Sequence, residues 1–221
     1  MKAILFDWDG TLADTLGAIY AANVEVMAVF GLAFDETRYR RHFAPDWRVM
    51  YTNLGVPEDR LDEANQRWWA ALDEGDTVLF PGVLDGLDRL HAAGHPLGIV
   101  TAGRSDRVGS ELQRHGLAGF FRAIVYGDDM AAQKPDPAPL RAGLARLGFE
   151  GRPADAVYVG DTPDDMRMAT ATGTRAVGIE SILGDLGDLR AAGAAETAAS
   201  AAEWIDRQLA VHAPSATGQP G

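Results

Sequence analysis

Two hydrophobic rhythms alternate along this chain. Short continuous apolar runs stand at residues 3–7 (AILFD), 97–101 (LGIVT), 123–127 (AIVYG), 156–160 (AVYVG) and 175–179 (RAVGI). They show no polar/apolar alternation, so they predict strands covered on both faces, as in a parallel sheet. Between them, apolar residues recur at helical spacing over 82–93, 104–116, 137–147, 164–172 and 200–210. Strand–helix–strand repetition predicts an α/β fold with an open, doubly wound, mostly parallel sheet.

The rhythm breaks between the first and second strands. Residues 15–80 hold no convincing strand and read as helices over 15–30, about 35–52 and 58–73, with turns at Gly31, Gly55-Val56-Pro57 and Gly75-Asp76. About 65 residues are too many for an ordinary loop. The expectation is a small helical cap over 15–80, inserted into a core made of 1–14 and 81–210. Trp47, Trp68 and Trp69 fall in this insertion and are expected to pack its interior. The small polar residues from 211 to 221 read as a disordered tail.

Bulk properties narrow the function. A chain of 221 residues suggests one to two domains. The net charge of −12 argues against a nucleic-acid or membrane-surface role, but not against a small anionic substrate. There is no cysteine, hence no disulfide or thiol chemistry. The apolar run at the start is short for a signal peptide, and no stretch approaches a membrane span, so a cytoplasmic setting is the expectation. Of the 20 basic residues, only Lys2 and Lys134 are lysines. In so arginine-rich a chain, Lys134 marks either chance or a site that needs a compact ammonium and resists the guanidinium fork.

In open α/β sheets, ligands bind beyond the carboxyl ends of the strands. The first strand ends at Asp7, with Asp9, Gly10 and Thr11 following. Alone, Asp-Gly is a turn pair and Asp14-Thr15 a helix cap. The second strand ends in VTAGRS, the third leads into YGDDMAAQKPDP, and the fourth ends in VGDTPDD. All four therefore deliver polar chemistry to one edge: Asp7 and Asp9, Thr101, Lys134, and Asp161 with Asp164 and Asp165. Lys134 cannot neutralise so many carboxylates, whereas a divalent cation can. Oxygen ligands without His or Cys point to Mg²⁺. Mg²⁺ with a lysine, a hydroxyl and helix N-terminal N–H groups suits a phosphoryl group. A carboxylate so placed can attack phosphorus, and a second one two residues on can exchange protons with the leaving alcohol and with water.

DWDGT, VTAGR, QKPDP and GDTPDD, in this order, resemble the four signatures of the haloacid dehalogenase-like (HAD) superfamily. The resemblance runs from residue 3 to about 208 and is to the phosphoglycolate phosphatase-like branch, with its Rossmann-type core and a helical cap after the first motif. It implies Asp7 as nucleophile and Mg²⁺ ligand, and Asp9 as acid/base with its backbone carbonyl on the metal. Thr101 and the Ala102 N–H would hold phosphoryl oxygens. Lys134 would balance charge between nucleophile and phosphate, and Asp161 would be the second metal carboxylate. Asp165 would anchor a metal-bound water or Lys134, and Asp164 falls outside this set. Ala102 stands where relatives often carry Asn, and Trp8 where a smaller residue is commoner. Thr11 fits loop structure. Arg104 could reach a distal anion or begin a solvated helix, and His42, Arg41 and Arg48 in RRHFAPDWR are candidates to face the substrate.

Among branches, Asp9 favours phosphoryl transfer over dehalogenation, whose halide leaves without a proton. A Schiff-base phosphonatase would need a cap lysine, and residues 15–80 contain none. Mutases tend to carry a histidine twelve residues after the nucleophile, where this chain has Ile19. The expectation is a phosphatase acting on a small phosphorylated metabolite, as monomer or homodimer. A phosphosugar mutase or a non-catalytic phosphate- or partner-binding relative is the alternative.

Overall fold

The computed structural model describes residues 2–72 and 77–212. The expected turn at Gly75-Asp76 lies outside the described residues, as do positions 213–221 of the expected tail, whereas its first two positions, 211 and 212, instead end the last helix. The sheet consists of β1 (Ala3–Phe6), β2 (Leu97–Val100), β3 (Ala123–Val125), β4 (Ala156–Gly160), β5 (Arg175–Ile179) and β6 (Glu196–Ala198). Its order is β3-β2-β1-β4-β5-β6 and every pairing is parallel. The strand order reverses between β1 and β4, which makes their carboxyl ends the switch point at which such sheets bind ligands.

The continuous apolar runs divide with period two. Ile4 and Phe6 of β1 enter one apolar cluster with Val157 and Val159 of β4. Ala3 and Leu5 enter the opposite cluster with Ala156 and Tyr158. Helices α5 (Val83–Ala92), α6 (Ser105–Arg114) and α10 (Ala201–His212) cover the first face, and α7 (Ala138–Leu147), α8 (Pro163–Thr172) and α9 (Leu186–Ala191) the second. Both faces are therefore dry, which explains why the strands lack polar alternation.

Between β1 and α5 lie α1 (Leu16–Val29), α2 (Glu36–His42), α3 (Trp47–Leu54) and α4 (Leu61–Ala71). They surround a third apolar cluster built on Met27, Tyr39, Tyr51 and Leu54. Ile182 and Leu183, from the loop after β5, complete this cluster. The helix expected over 35–52 is instead two helices. Pro45 cannot donate to a helical ladder and disfavours the helical region for Ala44. Phe43 already leaves it at φ −55°, ψ 134°, and Asp46 restarts the helix by accepting the Arg48 N–H at 2.9 Å. Among the described residues, no helix is long and apolar enough to cross a membrane.

Candidate active site

Each candidate side chain is set at the sheet edge by a short backbone device. Asp7 leaves β1 with its N–H bonded to the Val159 carbonyl at 2.8 Å, which keeps it on the β1–β4 ladder at the carboxyl edge of the sheet. Gly10 then turns the chain with φ +71°. A Cβ there would lie 2.5 Å from Asp161 Oδ2, so the close approach of the β1 loop to Asp161 requires glycine. Asp161 follows β4, and Thr162 opens α8 through a capping box with Asp165.

The charges form one connected cluster. Lys134 Nζ lies 2.9 Å from Asp7 Oδ2 and 2.8 Å from Asp165 Oδ1, fully buried between them. Asp165 is otherwise engaged: Oδ2 accepts the Thr162 N–H at 3.0 Å and its hydroxyl at 2.7 Å, and Oδ1 lies 3.1 Å from the Tyr158 hydroxyl. Its geometry therefore orients Lys134. Burial would push the Lys134 ammonium down, but the Asp165 and Asp7 charges outweigh it and hold the lysine protonated. Burial pushes the Asp7 carboxyl up against the pull of Lys134. Burial also drives Asp161 well above the carboxylate range, and the Asp165 and Asp7 charges add to it.

Oxygens of Asp7, Asp161 and Asp165 lie within 4.8 Å of one another, and Asp161 Oδ2 is buried with no hydrogen-bond partner among the described residues. An orphaned carboxylate oxygen facing other carboxylates is what a hard divalent cation would relieve. The donor set, all oxygen, fits Mg²⁺ held by Asp7 and Asp161.

Asp9 belongs to a different network. Its Oδ1 accepts the Thr15 hydroxyl at 2.6 Å, and the Arg107 guanidinium grips both oxygens at 2.9 and 2.5 Å. Burial raises the Asp9 carboxyl, but Arg107 outweighs it and holds it below the ordinary range. Arg107 also pairs with Glu111 at 3.1 Å, and Glu111 accepts the Trp8 indole N–H at 2.5 Å. Trp8 is fully buried, so its indole needs that partner. Sequence reasoning missed Arg107 and Glu111. The available signal was their i,i+4 pairing in a helix opening at the sheet edge.

Asp7, Asp9, Thr101, Ala102, Arg104, Arg107, Asp161 and Arg48 line one cavity of about 430 Å³ between the sheet edge and the helical segment. Thr101 Oγ1 accepts the Gly103 N–H at 3.0 Å, which shapes the loop before α6. The Ala102 N–H has no partner among the described residues and remains available. Arg104 is largely exposed and paired with Asp106 at 3.1 Å; Arg48 is paired with Asp62 at 2.8 Å. His42 does not line this cavity, and Arg41 lines a neighbouring crevice between α2 and α8. Asp164 lines that crevice too, paired with Arg167 at 2.7 Å. Thr11 Oγ1 stands 3.4 Å from Asp161 Oδ1. Trp47 and Trp68 pack against the third cluster as expected, while Trp69 stands outside it and lines the cavity.

A family model described as haloacid dehalogenase-like hydrolase matches residues 4–179. The chain belongs to the haloacid dehalogenase-like hydrolases. This hydrolase is 38% identical over 208 residues to a phosphoglycolate phosphatase of Salmonella typhimurium, with 81% of each chain covered. It is 34% identical over 183 residues to the pyrophosphatase PpaX of Bacillus velezensis, covering 81% of this chain and 83% of that one. Its fold is similar to a hydrolase from Pseudomonas syringae, with a TM-score of 0.84 and 22% identity, covering 96% of this chain and 99% of the other.

The loop that follows β3 braces the candidate phosphate loop of this hydrolase. Gly127 donates to the Gly103 carbonyl at 2.9 Å, and a Cβ on Gly127 would meet the Ala102 carbonyl oxygen at 2.1 Å. Gly127→Ala should therefore displace the Thr101–Gly103 turn. The expected result is a loss of about 1–3 kcal/mol of stability by urea unfolding, together with reduced turnover. Unchanged values of both would show that the contact relaxes freely.

Proposed function

We propose that this chain is a Mg²⁺-dependent phosphatase that hydrolyses a small phosphomonoester through an aspartyl-phosphate on Asp7. The observation that carries the reading is the buried Asp7 carboxylate, 2.9 Å from Lys134, beside the unpartnered Asp161 Oδ2. The phosphatase names of its curated relatives support it. An Asp7 oxygen attacks phosphorus, and the bond to the leaving oxygen breaks as Asp9, which must first take up a proton against the pull of Arg107, gives that oxygen its proton. Water then attacks the phosphorus of the aspartyl-phosphate, Asp9 takes back a proton, and Asp7 is released. Thr101 and the Ala102 N–H hold the phosphoryl oxygens, and Lys134 offsets charge between them and Asp7. Asp7, Asp161 and the Asp9 carbonyl would hold Mg²⁺, which would supply positive charge to the transferring group.

The helical segment 15–80 acts in this reading as a cap over a catalytic core of 1–14 and 81–210, excluding bulk water during transfer. The acidic cavity suits a small metabolite and not a nucleic acid.

Orthophosphate release from p-nitrophenyl phosphate should require added Mg²⁺ and stop with EDTA. Mg²⁺ should also raise the thermal midpoint, because a ligand bound only to the folded state at about 100 times its Kd adds about 2.7 kcal/mol. Asp161→Asn removes one of the facing charges, so it should raise the metal-free midpoint and abolish the Mg²⁺ shift. A wild-type midpoint indifferent to Mg²⁺, or turnover undiminished by EDTA, would refute the metal assignment.

A further inference from the structure

We infer that the substrate is the monophosphate of an uncharged, ring-shaped alcohol, and that Trp69 determines specificity by stacking on the ring. The inference rests on the phosphatase reading and concerns the half of the substrate that leaves. The cavity separates into two chemically distinct walls. On the sheet side lie Asp7, Asp9, Asp128 and Asp161, and Asp46 adds a carboxylate from the helical segment. The cations that face the same space are three arginines, and each is already committed to a carboxylate. Arg107 grips Asp9 at 2.5 Å and Glu111 at 3.1 Å, Arg104 holds Asp106 at 3.1 Å, and Arg48 holds Asp62 at 2.8 Å. Lys134 lies behind the cavity, locked between Asp7 and Asp165.

A second anion on the substrate, whether a carboxylate or another phosphate, would meet Asp46 and Asp128, which line the cavity outside the proposed Mg²⁺ ligands and would not be offset by the metal. Among the described residues lining the cavity, no cation is free to receive it. Capturing Arg107 would strand the Asp9 and Glu111 carboxylates, which is the costly outcome, while Arg104 and Arg48, more than half exposed, offer a second anion only a solvent-screened attraction. A neutral leaving group meets no such penalty.

The opposite wall is aromatic. Trp47, Trp68 and Trp69 line it with Tyr39, Phe43 and Tyr51. Trp69 differs from its neighbours. It takes no part in the third apolar cluster and is only partly covered. Its one close ring contact is Trp68, edge-on at 4.9 Å, while the Arg104 guanidinium stands 5.8 Å from its centroid, near the limit of a cation–π contact. A tryptophan face left unpacked over a cavity is suited to a flat, partly apolar ring. The half-buried Asn65 amide lines the same wall and has no hydrogen-bond partner among the described residues, so it can bond a ring hydroxyl. A cavity of about 430 Å³ has room for such a ring beside a phosphoryl group.

The test compares kcat/KM with Mg²⁺ for two neutral ring monoesters, glucose 6-phosphate and inositol 1-phosphate, against phosphoglycolate and pyrophosphate, with p-nitrophenyl phosphate as a generic control. The better ring ester should exceed phosphoglycolate and pyrophosphate by about ten-fold or more. Trp69→Ala should raise KM for that ester about ten-fold with kcat little changed, and Trp69→Phe should recover most of the loss. If phosphoglycolate or pyrophosphate is the best substrate while p-nitrophenyl phosphate is cleaved, the inference falls and the phosphatase reading stands. Equal KM in wild type and Trp69→Ala also overturns it. If none of these compounds is cleaved, the phosphatase reading itself fails and takes the inference with it.

Discussion

Asp7→Asn should lower kcat by about 10⁴-fold or more while the protein remains folded and at least as stable. The amide is nearly isosteric with the carboxylate but has no nucleophilic oxygen anion, so the covalent step is lost outright. Stability is the informative control. Asp7 is buried against Lys134 on one side and faces Asp161 and Asp165 across the metal-ligand cluster. Removing its charge weakens one favourable pair and relieves two unfavourable ones, together with the desolvation that burial imposes on it. The thermal midpoint of the metal-free variant should therefore match or exceed that of wild type. Wild-type enzyme quenched in acid during turnover of a ³²P-labelled phosphomonoester should retain protein-bound label, and the variant should retain none. Turnover by Asp7→Asn within about ten-fold of wild type would remove Asp7 from the chemistry altogether.

Much of this arrangement is legible in the sequence, for a physical reason. Strands buried on both faces must be apolar throughout, so β1, β2, β4 and β5 announce themselves as short unbroken runs, and the residues ending them fall at one edge of the sheet. Asp7, Thr101 and Asp161 follow from that logic alone. Elements without such runs do not announce themselves. β6 is three residues, Glu196–Ala198, and α9 is six, Leu186–Ala191, containing a glycine. The break at Phe43–Pro45 was legible in principle, because Pro45 disfavours continuation. Contacts between distant segments were not. The Arg107–Asp9 pair spans 98 positions and the Trp8–Glu111 bond 103. Trp8 looks like a bulky exception in the first motif until its indole is seen to hold Glu111, which in turn holds Arg107. The exposure of Trp69 to the cavity is equally a product of tertiary packing, since neighbouring Trp68 does pack into the third cluster.

Arg107→Ala should destabilise the protein by about 3–5 kcal/mol in urea unfolding, because it leaves two buried carboxylates facing each other without a counter-charge. The side chain is only 12% exposed, its partners Asp9 and Glu111 18% and 5%. The damage then belongs to the stranded acids and not to lost packing. Adding Glu111→Gln to Arg107→Ala should then restore part of the loss, although Glu111→Gln in the wild-type background, where Arg107 still needs it, should cost stability. Opposite signs for one substitution in two backgrounds would define a coupling that packing alone does not produce. Arg107→Lys separates charge from geometry. An ammonium retains the charge but cannot grip both Asp9 oxygens as the planar fork does, so stability should be largely kept while Asp9 loses its fixed orientation. The expected result is a lowered kcat with KM nearly unchanged, since Asp9 is needed for proton transfer and not for binding the phosphoryl group. If Arg107→Lys instead raised KM alone, Arg107 would be contacting the substrate directly, and its pairing with Asp9 would be a resting arrangement that substrate displaces.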